Sequence, residues 1–310
     1  MGVILVHIAG TDPAPWIDEL KRQDPALDAR GLDAVDDPAA VEVAITWKLP
    51  HGLYRTFPNL ALIQSMAAGV DHILADPERP ARVPVARVVD PWMGRSMVHH
   101  VALAVLRWHR RMDWLEGQRA DATWPTDVIF DADAVRVGVL GLGHLGQAVA
   151  RAMQGLGFEA AGWSRSPKAI EGLACHHGPD GLRDLAAWSS VLVCLLPLTD
   201  ETAGILNAGL FGLMPEGSLL VNVGRGGHLV EADLTAALDS GRLEAAALDV
   251  FGTEPLPKDH RFWADRRIYL TPHIASEINP VTATRAFVEN IRRIRAGQAP
   301  VGLIDPAKGY

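Results

Sequence analysis

Three short stretches each place one polar residue at the C-terminal end of an apolar run. LLVNVGRGG delivers Arg225 between glycines, LDVFGTEPLP delivers Glu254 before a proline, and YLTPHIAS delivers His273 after one. Ligands of open α/β sheets bind along the edge formed by such strand ends. Together the three residues suit hydride transfer to a 2-oxo acid. Reducing a ketone builds negative charge on the carbonyl oxygen, so a proton donor effective near neutral pH is needed, and imidazolium is the natural choice. A carboxylate against the other ring nitrogen would orient His273 and favour its protonated form, a role open to Glu254. Arg225 offers a fork of N–H donors that can hold a substrate carboxylate and polarise the carbonyl together. Singly, an Arg after a strand is commonly a surface or packing residue, and a Glu before Pro is commonly a loop. Their joint placement argues for a site.

Such a site needs a cofactor, and VGVLGLGHLGQAVARAMQGLG carries Gly141, Gly143 and Gly146 in the spacing G-x-G-x-x-G between an apolar strand and an amphipathic helix. The first glycine permits a tight turn, the second lets a pyrophosphate approach the backbone, and the third lets helix and strand pack closely. The phosphates then meet a helix N-terminus, where unpaired N–H groups and the dipole favour an anion. NAD-specific versions end the next strand with a carboxylate that accepts from the ribose hydroxyls. Here that strand, FEAAGW, runs instead into Ser164, Arg165, Ser166 and, after a proline, Lys168. These residues supply donors and positive charge for an adenosine 2′-phosphate, with Arg165 able to hold it bidentately. The pattern predicts NADPH as the preferred cofactor, with NADH possible; the alternative is a solvated turn before a helix. In SMAAGVDHI, Ala67, Ala68, Gly69 and Val70 directly follow an apolar strand. Small side chains there expose successive N–H groups, either as a nest for a carboxylate or as an ordinary strand-to-helix turn.

The elements that must position these residues fall into two series. Val3–Ile8, Val41–Trp47, Leu60–Met66 and Val83–Val89 read as buried parallel strands; a second series runs through 134–143, 158–163, 190–198, 218–224, 245–251 and 268–274. Helical segments alternate with the strands, the pattern of doubly wound α/β sheets. A helix over 93–117, with an apolar stripe at Met97, Val101, Val105 and Trp108, would cross from one domain to the other. Helices are also expected over 231–241 and 281–295. If the last returns to the first domain, residues 1–96 with 280–310 form a substrate domain and 97–279 a cofactor domain inserted in it.

The chain has 310 residues, 48% of them hydrophobic, enough for two cores, and a formal net charge of −8 that argues against nucleic-acid or anionic-membrane partners. Any anion must therefore meet a local cationic pocket. Cys175 and Cys194 read as reduced, buried fillers, and the start MGVILVHIAGTDPAPW lacks the pattern of a secretory signal, so a cytosolic address is expected. No apolar run is long enough to cross a bilayer. His99, His100, His176 and His177 show no metal-ligand spacing, and no metal is expected.

The segments AAGVDHI, VGVLGLGHLGQAVA, LLPLTDETAGILN, the long block from LLVNVGRGG to DVFGTEPLP, and LTPHIAS resemble the D-isomer-specific 2-hydroxyacid dehydrogenases from about Ala67 to Ser276. Within that family GWSRSPK, DPWMGRSM and the ending DPAKGY point to the glyoxylate/hydroxypyruvate reductase branch. The resemblance implies a Rossmann cofactor domain inserted in a flavodoxin-like substrate domain, and a homodimer embraced by the arm from Trp114 to Trp124. It implies Arg225, Glu254 and His273 as catalytic residues, with Ala68, Gly69 and Val70 on the substrate carboxylate and Trp47 a pocket wall favouring small substrates. Beside the glycines it adds His144, Leu145, Leu196, Pro197, Val223 and Asp249 to the cofactor site. The implied activity is NADPH-dependent reduction of glyoxylate or hydroxypyruvate to the 2-hydroxy acid. A dehydrogenase for another 2-hydroxy acid and a nucleotide-sensing corepressor-like binding protein of the same fold are the alternatives. One departure is His99, where many members carry a glutamate.

Overall fold

Short apolar runs without an alternating polar face can be satisfied only in a sheet covered on both sides. The computed structural model describes residues 2–126, 128, 130–132 and 134–305 and places these runs in two such sheets. The first holds β1 (Val3–Ile8), β2 (Ala29–Gly31), β3 (Val41–Trp47), β4 (Leu62–Ser65) and β5 (Val85–Ala86). Its strands are all parallel in the order β2-β1-β3-β4-β5, the flavodoxin-like arrangement. The second holds β6 (Arg136–Leu140), β7 (Glu159–Ser164), β8 (Ala174–His177), β9 (Val191–Cys194), β10 (Ser218–Asn222), β11 (Leu243–Leu248) and β12 (Ile268–Leu270). It is again parallel throughout, ordered β12-β11-β10-β9-β6-β7-β8, so the strand order reverses between β6 and β9, the switch point where a Rossmann sheet takes its nucleotide.

Burial explains the apolar runs. Along β9, Val191 and Val193 pack with Val137, Val139 and Val221, whereas Leu192 and Cys194 join Leu140, Leu220 and Leu248 in a separate cluster. Successive side chains of a strand point to opposite faces, and here each face has its own core. Burial pushes the Cys194 thiol up to about 12, which leaves it an unreactive filler. The first sheet repeats the pattern, with Ile4, Val6, Val43 and Ile45 in one cluster and Leu5, Ala44 and Ile63 in the other.

The helices are α1 (Ala14–Gln23), α2 (Asp71–Leu74), α3 (Pro91–His109), α4 (Met112–Ala120), α5 (His144–Gly155), α6 (Gly178–Trp188), α7 (Ala208–Phe211), α8 (Glu231–Asp239) and α9 (Pro280–Arg295). The Asn279 side chain caps α9 by accepting from the Val281 N–H at 2.9 Å, and Phe287, Val288 and Ile291 bury its apolar stripe in the first core. The chain thus forms two compact units, Met1–Met93 with Ile278–Tyr310 and Gly94–Glu277. Their boundaries fall after Met93 and Glu277, against the expected 96 and 279.

Several expectations need correction. The single helix over 93–117 is two: Arg111 takes φ 51°, left-handed, and separates α3 from α4. The Arg111 guanidinium lies over the Trp114 ring at 5.4 Å and Arg107 pairs with Asp113, contacts that reach across the bend. The expected strands over 60–66, 83–89 and 190–198 shorten to β4, β5 and β9, because an apolar run carries no mark of where its ladder ends. β2 and β8 were not expected, being short outer strands with few apolar residues. The last five residues of the DPAKGY ending, 306–310, lie outside the described residues.

Candidate active site

Arg225 follows β10, Glu254 follows β11 and His273 follows β12, three neighbouring parallel strands that deliver them from one edge of the sheet. Glu254 and His273 are in contact, with Nδ1 of the imidazole donating to Oε2 of the carboxylate at 2.9 Å. The other carboxylate oxygen accepts from the Phe251 N–H at 3.0 Å, so Glu254 is held at both ends and its acceptor is fixed toward the ring. This bond commits Nδ1 and leaves Nε2 as the ring nitrogen that Glu254 does not engage.

His273 itself sits at φ 58°, a left-handed conformation uncommon for a residue with a Cβ. Asp249 supplies the compensation. Its carbonyl accepts from the His273 N–H at 2.8 Å, and its carboxylate accepts from Thr271 Oγ1 at 2.6 Å, Ile274 N at 2.9 Å and Ala275 N at 2.8 Å. Asp249, expected beside the cofactor, therefore places its carboxylate in the turn that carries His273. Below it, burial holds His100 under its ordinary imidazole range, with the Asp249 carboxylate pulling the other way. His99 is exposed on α3.

Arg225 is set by its backbone. Asn222 Nδ2 donates to the Arg225 carbonyl at 3.1 Å, and the Arg225 N–H donates to Nδ1 of His228 at 3.1 Å. The guanidinium reaches the Gly224 carbonyl at 2.9 Å. A Cβ on Gly226 would stand 1.9 Å from the Phe251 carbonyl carbon, so only glycine lets the Arg225 loop lie against the Phe251–Gly252 backbone that positions Glu254.

The glycine loop fits a dinucleotide, one glycine at a time. Gly141 takes φ 103°, and a Cβ there would meet the Leu195 carbonyl oxygen at 2.8 Å. Gly143 faces open space, with no atom within 4 Å of a built Cβ, which leaves the backbone bare for a phosphate. A Cβ on Gly146 would fall 1.8 Å from the Gly141 oxygen, so the third glycine allows α5 to close onto the loop. Helix α5 starts at His144 and Leu145 with no side-chain cap and no acidic residue in its first turn, leaving donors and a positive dipole end for an anion. Leu196, Pro197 and Val223 lie in the loops after β9 and β10, the first and last of them buried.

The stretch after β7 is ordered around that loop. Ser164 is buried and donates to the Ser166 carbonyl at 2.8 Å, while Lys168 Nζ donates to the Leu142 carbonyl at 2.6 Å, inside the glycine loop. Arg165 is paired with Glu201 at 2.5 Å. In the first unit, the turn after β4 is shaped by Ser65, whose Oγ accepts from Ala67 N at 3.0 Å and donates to the Gly69 carbonyl at 2.9 Å. Among the described hydrogen bonds, the N–H groups of Ala68, Gly69 and Val70 donate to no protein acceptor. Trp47 ends β3 with its ring 4.5 Å from the His72 ring, centroid to centroid.

A family model for the NAD-binding domain of D-isomer-specific 2-hydroxyacid dehydrogenases matches residues 102–275. The chain belongs to this family. It is 37% identical, over the whole of both chains, to glyoxylate/hydroxypyruvate reductase A of Yersinia enterocolitica. A D-isomer-specific 2-hydroxyacid dehydrogenase from Xanthobacter autotrophicus Py2, solved with NADPH and MES, superposes with a TM-score of 0.94 at 42% identity, covering 100% of this chain and 99% of that one. The NADPH-dependent glyoxylate/hydroxypyruvate reductase of Sinorhizobium meliloti, solved with NADP and sulfate, gives 0.93 at 32% identity with all of both chains covered.

As a member of these NAD(P)-dependent dehydrogenases, the chain also carries residues at its site that sequence reasoning missed. His228 is fully buried; its Nδ1 accepts from Arg225 N–H, and its Nε2–H donates to the Pro197 carbonyl at 3.2 Å, since a carbonyl can only accept. It ties the arginine loop to the loop after β9. Nothing in GRGGH marks that histidine beyond its nearness to Arg225. Among the described residues, no group of three or more His, Cys, Asp or Glu is placed to hold a metal ion, and no helix is long and apolar enough to cross a membrane.

Proposed function

We propose that the protein reduces small 2-oxo acids, glyoxylate and hydroxypyruvate, to glycolate and D-glycerate, with NADPH preferred over NADH. The observation that carries this reading is the Glu254–His273 pair at 2.9 Å, oriented at the far oxygen by the Phe251 N–H. Names and bound ligands of the relatives support the substrate class and the cofactor.

Bound against Gly141, Gly143 and Gly146, NADPH supplies the hydride for the substrate's C2. Arg225 holds the substrate carboxylate and polarises the ketone with its fork of donors. His273 gives the proton on Nε2 to the oxygen that becomes the hydroxyl, and Glu254 keeps the ring in the orientation that presents it. Arg165, with Ser164, Ser166 and Lys168, takes the 2′-phosphate. For the first unit we propose that the free N–H groups of Ala68, Gly69 and Val70 bind a carboxylate, with Trp47 restricting substrate size.

The test crosses NADPH and NADH with glyoxylate, hydroxypyruvate, pyruvate and phenylpyruvate in initial-rate assays. Turnover is expected with the two small substrates and NADPH, and no turnover with any of the four sinks the proposal. We also propose a cytosolic homodimer. Leu103 is 69% exposed and Trp124 89%, apolar surface along the segment from α3 past α4 that a second copy would cover. A monomeric mass by light scattering would remove the dimer.

A further inference from the structure

The stretch after β7 lacks the carboxylate that NAD-specific sites place there, yet Arg165 has one from elsewhere. Its Nη1 lies 2.5 Å from Oε2 of Glu201, a residue 36 positions away, with both side chains substantially exposed. Glu201 is not on a loose segment. Thr202 Oγ1 donates to the Pro197 carbonyl at 2.7 Å and accepts from the Thr199 N–H at 2.9 Å, so the chain is pinned on both sides of Asp200 and Glu201.

We propose that Glu201 is a resident anion on the 2′-phosphate site, competing with NADPH for Arg165 and thereby limiting how strongly the enzyme prefers NADPH to NADH. The proposal rests on the reading of Arg165 as the 2′-phosphate contact. A 2′-phosphate carries a charge of about −2, by analogy with a phosphorylated side chain, and its place on Arg165 lies beside the Glu201 carboxylate. Either Glu201 turns away and gives up its ion pair, or it stays and repels the phosphate. Both outcomes weaken ligands that carry a 2′-phosphate. A ribose with a free 2′-hydroxyl meets neither cost, and the same carboxylate can accept from that hydroxyl, as the strand-end acid does in NAD-specific sites.

The experiment is calorimetric titration of the full-length protein with 2′,5′-ADP and with 5′-AMP, which differ only in the 2′-phosphate, and with NADPH and NADH by fluorescence. Glu201→Gln keeps size and polarity and removes the charge. An exposed pair of this kind corresponds to a change of about two- to five-fold, so 2′,5′-ADP and NADPH should bind that much more tightly to Glu201→Gln. 5′-AMP and NADH should not tighten. The gain should shrink in high salt and be smaller in the Arg165→Ala background, where only direct repulsion between Glu201 and the phosphate remains. Weaker 2′,5′-ADP binding by Glu201→Gln, or equal tightening of 5′-AMP, overturns the proposal. The underlying reading fails separately: Arg165→Ala alone would then leave the ratio of 2′,5′-ADP to 5′-AMP affinity unchanged.

Discussion

Gly226 touches no reacting atom in the proposed mechanism, yet the geometry makes it one of the most sensitive positions in the chain. An added Cβ would lie 1.9 Å from the Phe251 carbonyl carbon, 2.0 Å from its oxygen and 2.4 Å from the Gly252 nitrogen. Comfortable carbon contacts begin near 3.5 Å, so the two backbones must separate by about 1.5 Å. One of them carries Arg225; the other, through the Phe251 N–H, holds Glu254 and hence His273. Misplacing a reacting group by about 1 Å can cost on the order of 10²-fold in rate. Gly226→Ala is therefore expected to lower kcat/KM for glyoxylate by that order while NADPH binding, which depends on Gly141 to Gly146, persists. Binding by NADPH fluorescence and a cooperative thermal transition establish that the variant is folded. Gly155→Ala is the control, since a Cβ there meets nothing within 4 Å and the helix gains from alanine. A folded Gly226→Ala with kcat/KM close to that of the parent would refute the coupling of the arginine loop to the Glu254–His273 pair.

Two further outcomes test other parts of the structure. His273→Ala should lower kcat on the order of 10²-fold or more, the loss of a general acid, with NADPH affinity nearly unchanged; an unaltered kcat would remove His273 from the chemistry. In the first unit, the Arg295 guanidinium beside Glu42 holds that carboxyl below its ordinary 4.5. A carboxylate whose folded value is depressed contributes stability above the unfolded value and loses it as pH falls through the folded one. Glu42→Gln should thus cost roughly 0.2–1 kcal/mol at neutral pH and nothing well below pH 4.5, read from urea midpoints at both; a penalty that persists in acid would contradict the ion pair.

What the sequence disclosed follows from the kind of constraint each residue obeys. Gly141, Gly143 and Gly146 are legible because their spacing reports backbone needs local to one turn: a positive φ, a bare approach and a close packing, all of which the structure shows. Arg225, Glu254 and His273 are legible because parallel strands all expose the same end, so a polar residue closing an apolar run is placed by topology before any contact is known. The break at Arg111 is not legible, since no glycine or proline marks it and an arginine in the left-handed region is chosen by the contacts across the bend.

His228 and Glu201 share a different reason for escaping notice. His228 acts on backbone groups, and Glu201 on a side chain, that lie far off in sequence or carry no motif of their own. Asp249, which the resemblance puts beside the cofactor, gives its carboxylate to the turn that holds His273 at a positive φ. Conversely, the carboxylate absent after β7 is supplied by Glu201 from the loop after β9, across the switch point of the sheet. On the proposal made for Glu201, cofactor preference in this chain is a property of two loops rather than of the residue that ends one strand. The β7 loop already carries the cation for a 2′-phosphate, so the substitution expected to sharpen the preference for NADPH is Glu201→Gln in the loop after β9, with Arg165 left in place.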